Sequence, residues 1–284
     1  MDDEHLFGGV WTRTKLDALE KYLAAFNTAL SKQNFKRIYI DAFAGSGWCD
    51  ITEGSQKTRI DGSARRALNV SPPFNTHYLI ELAQKKLAAL RAMKAEYPGK
   101  SIEIIHGDAN IELKRLCKKY SWHDERAVLF LDPYGMKVEW ETLKAVAGTH
   151  AIDVWYLFPY SAYYRQAAKD ANAMDSGKQE AITRLLGTEE WRQVFYVPKR
   201  QPDLFDANSG DEREAGHSEM LDFVSGRLRE IFPAVLEPKI LYQGGDSRNP
   251  HGAPLFALYF AASNPKPAAY KLAKKIAKDV LDAL

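Results

Sequence analysis

The chain has 284 residues, 45% of them hydrophobic and 12% aromatic. That is ample for a sizeable core and unlike a disordered sequence, at a length where one large domain with insertions competes with two small ones. Lysine and arginine total 39 against 37 acidic residues, a net charge of +2, so no global field drives the molecule onto a polyanion and any such contact is a local patch.

In chain order, "TRTKLDALEKYLAAFNTALSKQ" places Leu16, Leu19, Tyr22, Leu23, Phe26 and Leu30 at helical spacing, which predicts a covering helix within residues 1–35. "RIYIDAFAGSGWCD" follows, an alternating apolar strand that stops on Asp41 and runs into Phe43, Ala44, Gly45, Ser46 and Gly47. After it "CDITEGSQKTRIDGS" reads as a long polar loop ending in Ser63, a candidate N-cap for the helix "ARRALN".

Strands and helices then alternate. The strands are "THYLIE" (76–81), "SIEIIHGD" (101–108), "AVLFLDPYG" (127–135) and "IDVWYLFP" (152–159), separated by helical patterns of ten or more residues. Such spacing requires crossover connections, so the expected architecture is α/β: a doubly wound, Rossmann-like, mostly parallel sheet with helices on both faces.

After Pro159 the rhythm breaks. Residues 160–214 hold "YSAYYRQ", helical patterns around "QEAITRLLG" and "TEEWRQVFY", and the polar tract "KRQPDLFDANSGDERE", an expected insertion or lid. Beyond the helix "SEMLDFVSGRLREIF", the patterns "VLEPKILYQ" and "PLFALYFAAS" have nothing helical between them. They are expected to pair as a hairpin that puts one antiparallel strand into the sheet, before the last helix "PAAYKLAKKIAKDVLDAL". The expectation is a single domain over 1–284.

Cys49 and Cys117 are the only cysteines and form no CxxC pair, which argues against a disulfide framework or zinc site and fits a reducing compartment. The acidic start "MDDEH" has no apolar stretch behind it, and the longest apolar run, 255–262, is far short of a membrane span. These features lead to the expectation of a soluble, cytoplasmic protein without a membrane partner.

The turn after the first parallel strand carries the chemistry, because open α/β sheets bind ligands in the crevice at their strand C-termini. Gly45 and Gly47 let the backbone approach a ligand closely. A dinucleotide fingerprint is not present, since Asp50 stands where its third glycine belongs, and no GK[S/T] step follows for a phosphate loop. A cofactor with an adenosine, no phosphate and an α-amino acid end fits: S-adenosylmethionine. Asp41 would serve its ammonium and carboxylate end together with the turn's N–H groups, with Phe43 packing on it. Glu81 would accept from the ribose hydroxyls, and Asp108, followed by Ala109, from the adenine amino group. An ordinary strand-end cap is the alternative for each carboxylate taken singly.

At the fourth strand end, Asp132, Pro133 and Tyr134 suit amine chemistry on a planar ring. A carboxylate and the Pro133 carbonyl can accept the two hydrogens of an exocyclic amine, and the Tyr134 ring can stack on a base. A simple Asp-Pro-Tyr-Gly turn is the alternative.

The combination "DAFAGSG", "IE", "GDA" and "LDPYG" resembles class I S-adenosylmethionine-dependent methyltransferases, and the Asp-Pro-Tyr step is similar to the Asp-Pro-Pro-Tyr motif of N6-adenine nucleic-acid methyltransferases. More narrowly, "WTRTKLDALEKYL", "YIDAFAGSG", the Gly-Ser before "ARRAL", "LFLDPYGM" with the following Trp and Leu, and "WYLFP" resemble the bacterial three-Cys-motif partner family across the whole chain. The resemblance implies a methyltransferase-like domain and a separate cysteine-bearing, radical-enzyme-like partner. Two departures stand out: Phe43 replaces the first glycine of the usual motif, and Gly135 follows the tyrosine where the family motif has paired prolines before it. The expected activity is methyl transfer from S-adenosylmethionine to a nucleobase amino nitrogen in DNA or RNA. The alternatives are a non-catalytic cofactor-binding subunit and a methyltransferase for a small-molecule or protein amine.

Arg13, Lys15, Arg59, Arg65, Arg66 and the "LKRLCKKY" helix are expected mainly as solvated faces. The loop 48–62, Lys15 and Arg165 are the candidate contacts should nucleic acid bind. The histidines show no metal spacing, so His106 and His217 are expected as ordinary residues and no metal is expected. The tyrosines of "SAYYR" are expected to pack rather than to stack on bases.

Overall fold

The structure, a computed structural model, describes residues 9–53, 56–198, 211–243 and 252–284. It opens with α1 (Val10–Leu30), β1 (Lys36–Asp41), β2 (Trp48–Glu53), β3 (Gln56–Asp61), α2 (Ser63–Asn69), β4 (Thr76–Glu81), α3 (Gln84–Glu96) and β5 (Ile102–His106). There follow α4 (Ala109–Lys119), β6 (Glu125–Leu131), α5 (Trp140–Ala147), β7 (Ile152–Phe158), α6 (Tyr160–Gln166), α7 (Ser176–Leu186), α8 (Trp191–Phe195), β8 (Tyr196–Pro198) and β9 (Asp211–Arg213). The last elements are α9 (His217–Ile231), β10 (Ala234–Val235), β11 (Lys239–Tyr242), β12 (Pro254–Ala262) and α10 (Pro267–Asp282).

The main sheet runs β10-β12-β7-β6-β1-β4-β5, with β11 also on β12. The pairs among β5, β4, β1, β6 and β7 are parallel, and β12 is antiparallel to β7. This is the doubly wound, Rossmann-like α/β fold that the alternation of elements implies. The strand order reverses between β1 and β6, and open sheets hold ligands at such a point.

Alternating strand residues divide the core into two layers. Ile38, Ile40, Leu129, Leu131, Val154 and Tyr156 pack under α4, α5, α7 and α9. Tyr39, Val128, Phe130, Trp155 and Leu157 pack under α1, α2, α3 and α10. A sheet covered on both faces needs apolar side chains at every position, which is why its central strands read as continuous hydrophobic runs.

Four local expectations are corrected. The stretch 48–62 is a β-hairpin rather than a loop: β2 and β3 pair antiparallel from Trp48 opposite Asp61 to Glu53 opposite Gln56, and Gly62 N–H closes its base onto the Gly47 carbonyl at 3.0 Å. The ribbon stands outside the main sheet and β3 is exposed over most of its length, so no apolar period marks it; Ile51 is its buried anchor. Ser63 is the first residue of α2, with Gly62 at the cap position.

The expected strand "VLEPKILYQ" is two short strands, β10 and β11, placed in succession along β12. Pro238 lies between them, and proline has no N–H to give to a ladder. Of the polar tract 199–214 of the expected insertion, 199–210 lie outside the described residues, and Asp211–Arg213 form the strand β9 against β8 rather than irregular chain. The Gly/Asp/Asn/Pro connection before β12 falls largely on 244–251, also outside them.

Candidate cofactor and substrate site

The glycine turn emerges from the centre of the sheet. Ala42 N–H donates to the Phe130 carbonyl at 3.2 Å and Ala44 N–H to that of Ile80 at 2.9 Å, so the chain leaving β1 is pinned between its two neighbours. Gly45 and Gly47 then adopt φ of +65° and +81°, in the left-handed region that side chains resist. A Cβ on Gly45 would meet nothing within 4 Å, whereas one on Gly47 would lie 2.7 Å from Met93 Sδ. Gly45 therefore faces open space and Gly47 backs onto α3. Ser46 is half-buried, and Phe43 packs partly into the core beside α4.

Asp41 is fully buried beneath this turn. Its carboxylate accepts from Ser63 Oγ at 2.6 Å, Tyr39 Oη at 3.1 Å and Phe43 N–H at 3.3 Å. Burial pushes its pKa from 3.8 up to about 6; the Ser63 and Tyr39 hydroxyls pull it down and nearby Asp132 raises it further. The group the sequence reading assigned to a ligand's ammonium thus serves the turn from within.

Glu81, at the end of β4, reaches across to the same turn. Oε2 accepts from Gly45 N–H at 2.8 Å and Oε1 from Ala83 N–H at 2.7 Å. A carboxylate has about four acceptor positions, so capacity remains on both oxygens. Asp108 follows β5 and caps α4, with Oδ1 accepting from Asn110 N–H at 2.9 Å and Ile111 N–H at 3.2 Å; Ala109 is buried as the first residue of that helix. Leu82, after β4, and Ile111, in the first turn of α4, are 64% and 59% exposed beside these carboxylates. The sequence reading passed over both, because an exposed aliphatic residue is indistinguishable in sequence from a buried one.

Asp132 follows β6, and the structure gives it a partner from the far end of the sequence. Lys15 Nζ on α1 donates to Asp132 Oδ2 at 2.5 Å, with the lysine side chain 6% exposed and the aspartate 28%. Trp11, one turn earlier, lies 4.9 Å from the same ammonium, a cation–π contact at helical spacing. Lys15, expected on a solvated helix face and as a contact should nucleic acid bind, is instead buried in this pair. Pro133 is buried, Tyr134 is 68% exposed, and Gly135 turns the chain at φ +70°. Asn110 fastens the segment that follows, giving Nδ2 to the Lys137 carbonyl and accepting from Glu139 N–H and Thr142 Oγ1.

Asp132, Asp41, Glu81 and Asp108 therefore stand at the C-terminal ends of β6, β1, β4 and β5, four consecutive strands of the sheet. The other candidates resolve differently. Arg59 pairs with Asp50 across the hairpin, Arg65 is bidentate to Glu96 and stacks on Trp48, and Arg66 binds Asp17 and Glu20. These three cations are compensated within the chain. Tyr160 and Tyr163 are buried, and Tyr164 is stacked between Arg213 and His217. His217 also hydrogen-bonds Tyr160 Oη, and His106 bonds the Leu82 carbonyl. Among the described residues no three His, Cys, Asp or Glu side chains gather as a metal site, and no helix is long and apolar enough to cross a membrane.

No protein-family model and no curated protein matches the sequence. Solved structures align with the chain at low identity. Protein LPL1258 from Legionella pneumophila, of the family model DUF519, aligns over 97% of this chain and 94% of its own at 13% identity and a TM-score of 0.52. An S-adenosylmethionine-dependent methyltransferase from Clostridium acetobutylicum aligns over 87% and 91% at 11% identity and TM-score 0.39. An rRNA methylase from Streptococcus thermophilus aligns over 68% and 93% at 12% identity and TM-score 0.30.

Proposed function

We propose that the protein is an S-adenosylmethionine-dependent methyltransferase acting on an amino nitrogen of a nucleobase in DNA or RNA. The observation that carries the reading is the alignment of four carboxylates on consecutive strand ends, Asp41 beneath and Glu81, Asp108 and Asp132 around a glycine turn that opens on free space. Its fit to the cofactor rests on groups already described. Gly45 leaves room for close approach, Glu81 keeps acceptor capacity for a ribose diol, and exposed Leu82 and Ile111 offer apolar faces to a purine ring. Asp108 stands beside them for the adenine amino group, with Ala109 at its back.

Bound S-adenosylmethionine would supply an electrophilic methyl group. Asp41, too buried to touch a ligand directly, holds the turn of Phe43, Ala44, Gly45, Ser46 and Gly47 in shape through Ser63 and the Phe43 N–H. Lys15 takes Asp132 Oδ2, and Oδ1 is assigned to accept from the target amine together with the Pro133 carbonyl, which frees the nitrogen lone pair for attack. The exposed Tyr134 ring stacks on the base. Residues 160–214, following β7, are assigned as the substrate-facing insertion of a single domain. The resemblance to the three-Cys-motif partner family supports a companion protein and a bacterial, cytoplasmic setting.

Calorimetric titration with S-adenosylhomocysteine tests the cofactor half. Wild-type protein is expected to bind, and Glu81→Ala to bind at least about tenfold more weakly; no heat, or equal affinity, refutes it. Methyl-labelled cofactor tests the other half: label enters DNA or RNA with wild-type protein and not with Asp132→Ala. A second reading, a non-catalytic cofactor-binding subunit, is favoured by the short Lys15–Asp132 ion pair, which already occupies one oxygen of the expected amine acceptor. Cofactor binding without label in nucleic acid, small molecules or protein amines would select it.

A further inference from the structure

At the edge of the sheet opposite the carboxylate rim, where β6 and β7 begin, a cavity of about 400 Å³ lies beneath α1 and the first turns of α10. Its volume is in the range of pockets that hold small ligands. Tyr22, Phe26 and Leu30 line it from α1, and Leu272, Ala273 and Ile276 from α10. Among these apolar walls sits Asp153, 8% exposed, whose Oδ2 accepts from Tyr22 Oη at 2.6 Å. A carboxylate keeps further acceptor positions after one such bond.

The charges around the cavity select its occupant. Arg126 also lines it, but its guanidinium stacks on Phe35 at 4.0 Å and its Nη1 donates to the Trp122, His123 and Glu125 carbonyls. Lys266 stands among the lining residues as a second cation. An anionic ligand would be brought against Asp153 and a cationic one against Arg126 and Lys266, each desolvated in an apolar space at a cost. A neutral body carrying one hydrogen-bond donor avoids both costs and gives the buried carboxylate a second partner.

We propose that this cavity binds a neutral, largely hydrocarbon alcohol, aryl or alkyl, whose hydroxyl donates to Asp153. The site is separate from the glycine turn and stands or falls independently of methyl transfer.

The probes are 4-ethylphenol and its O-methyl ether, 4-ethylanisole, which keeps the ring and loses the donor. Titration followed by ligand-observed NMR on the full chain at about pH 8.5, above the value of about 7 to which burial raises Asp153 and where it is a carboxylate, is expected to show saturable 4-ethylphenol binding and about tenfold weaker binding of the ether. Ala273→Phe, which fills the cavity from α10, is expected to abolish binding while the circular dichroism spectrum is unchanged. Should Ala273→Phe fail to fold, Ala269→Leu, from the same wall, replaces it. Absent saturable binding of 4-ethylphenol, or binding that survives the filled cavity, overturns the site; equal affinity for the two probes overturns the role of Asp153.

Discussion

Lys15 and Asp132 are an unequal pair. The ammonium lies on a helix whose neighbouring positions, Leu16 and Leu19, turn into the core, and its side chain is 6% exposed against 28% for its partner. Removing the carboxylate strands a charge that water cannot reach, whereas removing the lysine leaves a carboxylate that can still be hydrated. Asp132→Ala is therefore expected to cost about 3 kcal/mol and Lys15→Met about 1 kcal/mol, as read from urea denaturation; the reverse ranking would show that Lys15 finds another partner. Two other carboxyls make stability depend on pH. Burial raises Asp41 from 3.8 to about 6, and Asp153 from 3.8 to about 7 against the pull of the Tyr22 hydroxyl and Arg126. The folded chain keeps both protons where the unfolded chain has released them. Their stabilisation is thus complete below about pH 4 and lost as pH rises through 6 and 7. Asp153→Asn has no proton to lose, so its melting temperature is expected to gain on the wild type between about pH 4 and about pH 7. A difference that does not change with pH would mean Asp153 does not titrate in that range.

At the scale of elements, the glycine turn divides its two glycines by what stands behind each. Gly45→Ala meets only the left-handed conformation and is expected to cost about 1 kcal/mol. Gly47→Ala adds a contact of 2.7 Å with the sulfur of Met93, itself 0% exposed, and overpacking of that kind adds about 1–3 kcal/mol. Thermal melts of the two variants are expected to fall in that order, and equal losses would show that α3 yields freely. The turn was legible because a strand ending on Asp41 followed by spaced glycines has few other uses. The hairpin of β2 and β3 was not, since β3 is exposed over most of its length and Ile51 is a single buried anchor on β2, which leaves too few apolar positions to mark a strand period. The break between β10 and β11 was written in Pro238, yet the apolar residues around it continue the strand pattern and mask it. Lys15 carried one faint mark, the Trp11 four residues before it, but nothing near either residue points to a partner at position 132.

Across the whole molecule, the main sheet carries two core layers built on the same strands, so neither layer has an independent scaffold. The tryptophans report on both: Trp155 lies in the layer beneath α1 and α10, and Trp140 and Trp191 in the layer beneath α4, α5, α7 and α9. Tryptophan fluorescence and far-ultraviolet circular dichroism are expected to give one coincident unfolding transition in urea; two separated transitions would show that 160–214 or another part unfolds alone. The sequence by itself determined the doubly wound architecture, because strands buried on both faces and joined by helices must be written as apolar runs separated by crossover-length helical patterns. It also determined which carboxylates end those strands, since chain order alone puts Asp41, Glu81, Asp108 and Asp132 at strand termini. Only the tertiary structure decided what each carboxylate does there: Asp41 turned inward to Ser63, Glu81 bound to the turn, Asp108 capping α4 through Oδ1, Asp132 held by a lysine from the first helix. Contacts such as the Lys15–Asp132 pair, whose partners are 117 positions apart, leave no period or spacing in the chain, and are settled only when packing brings the partners within reach.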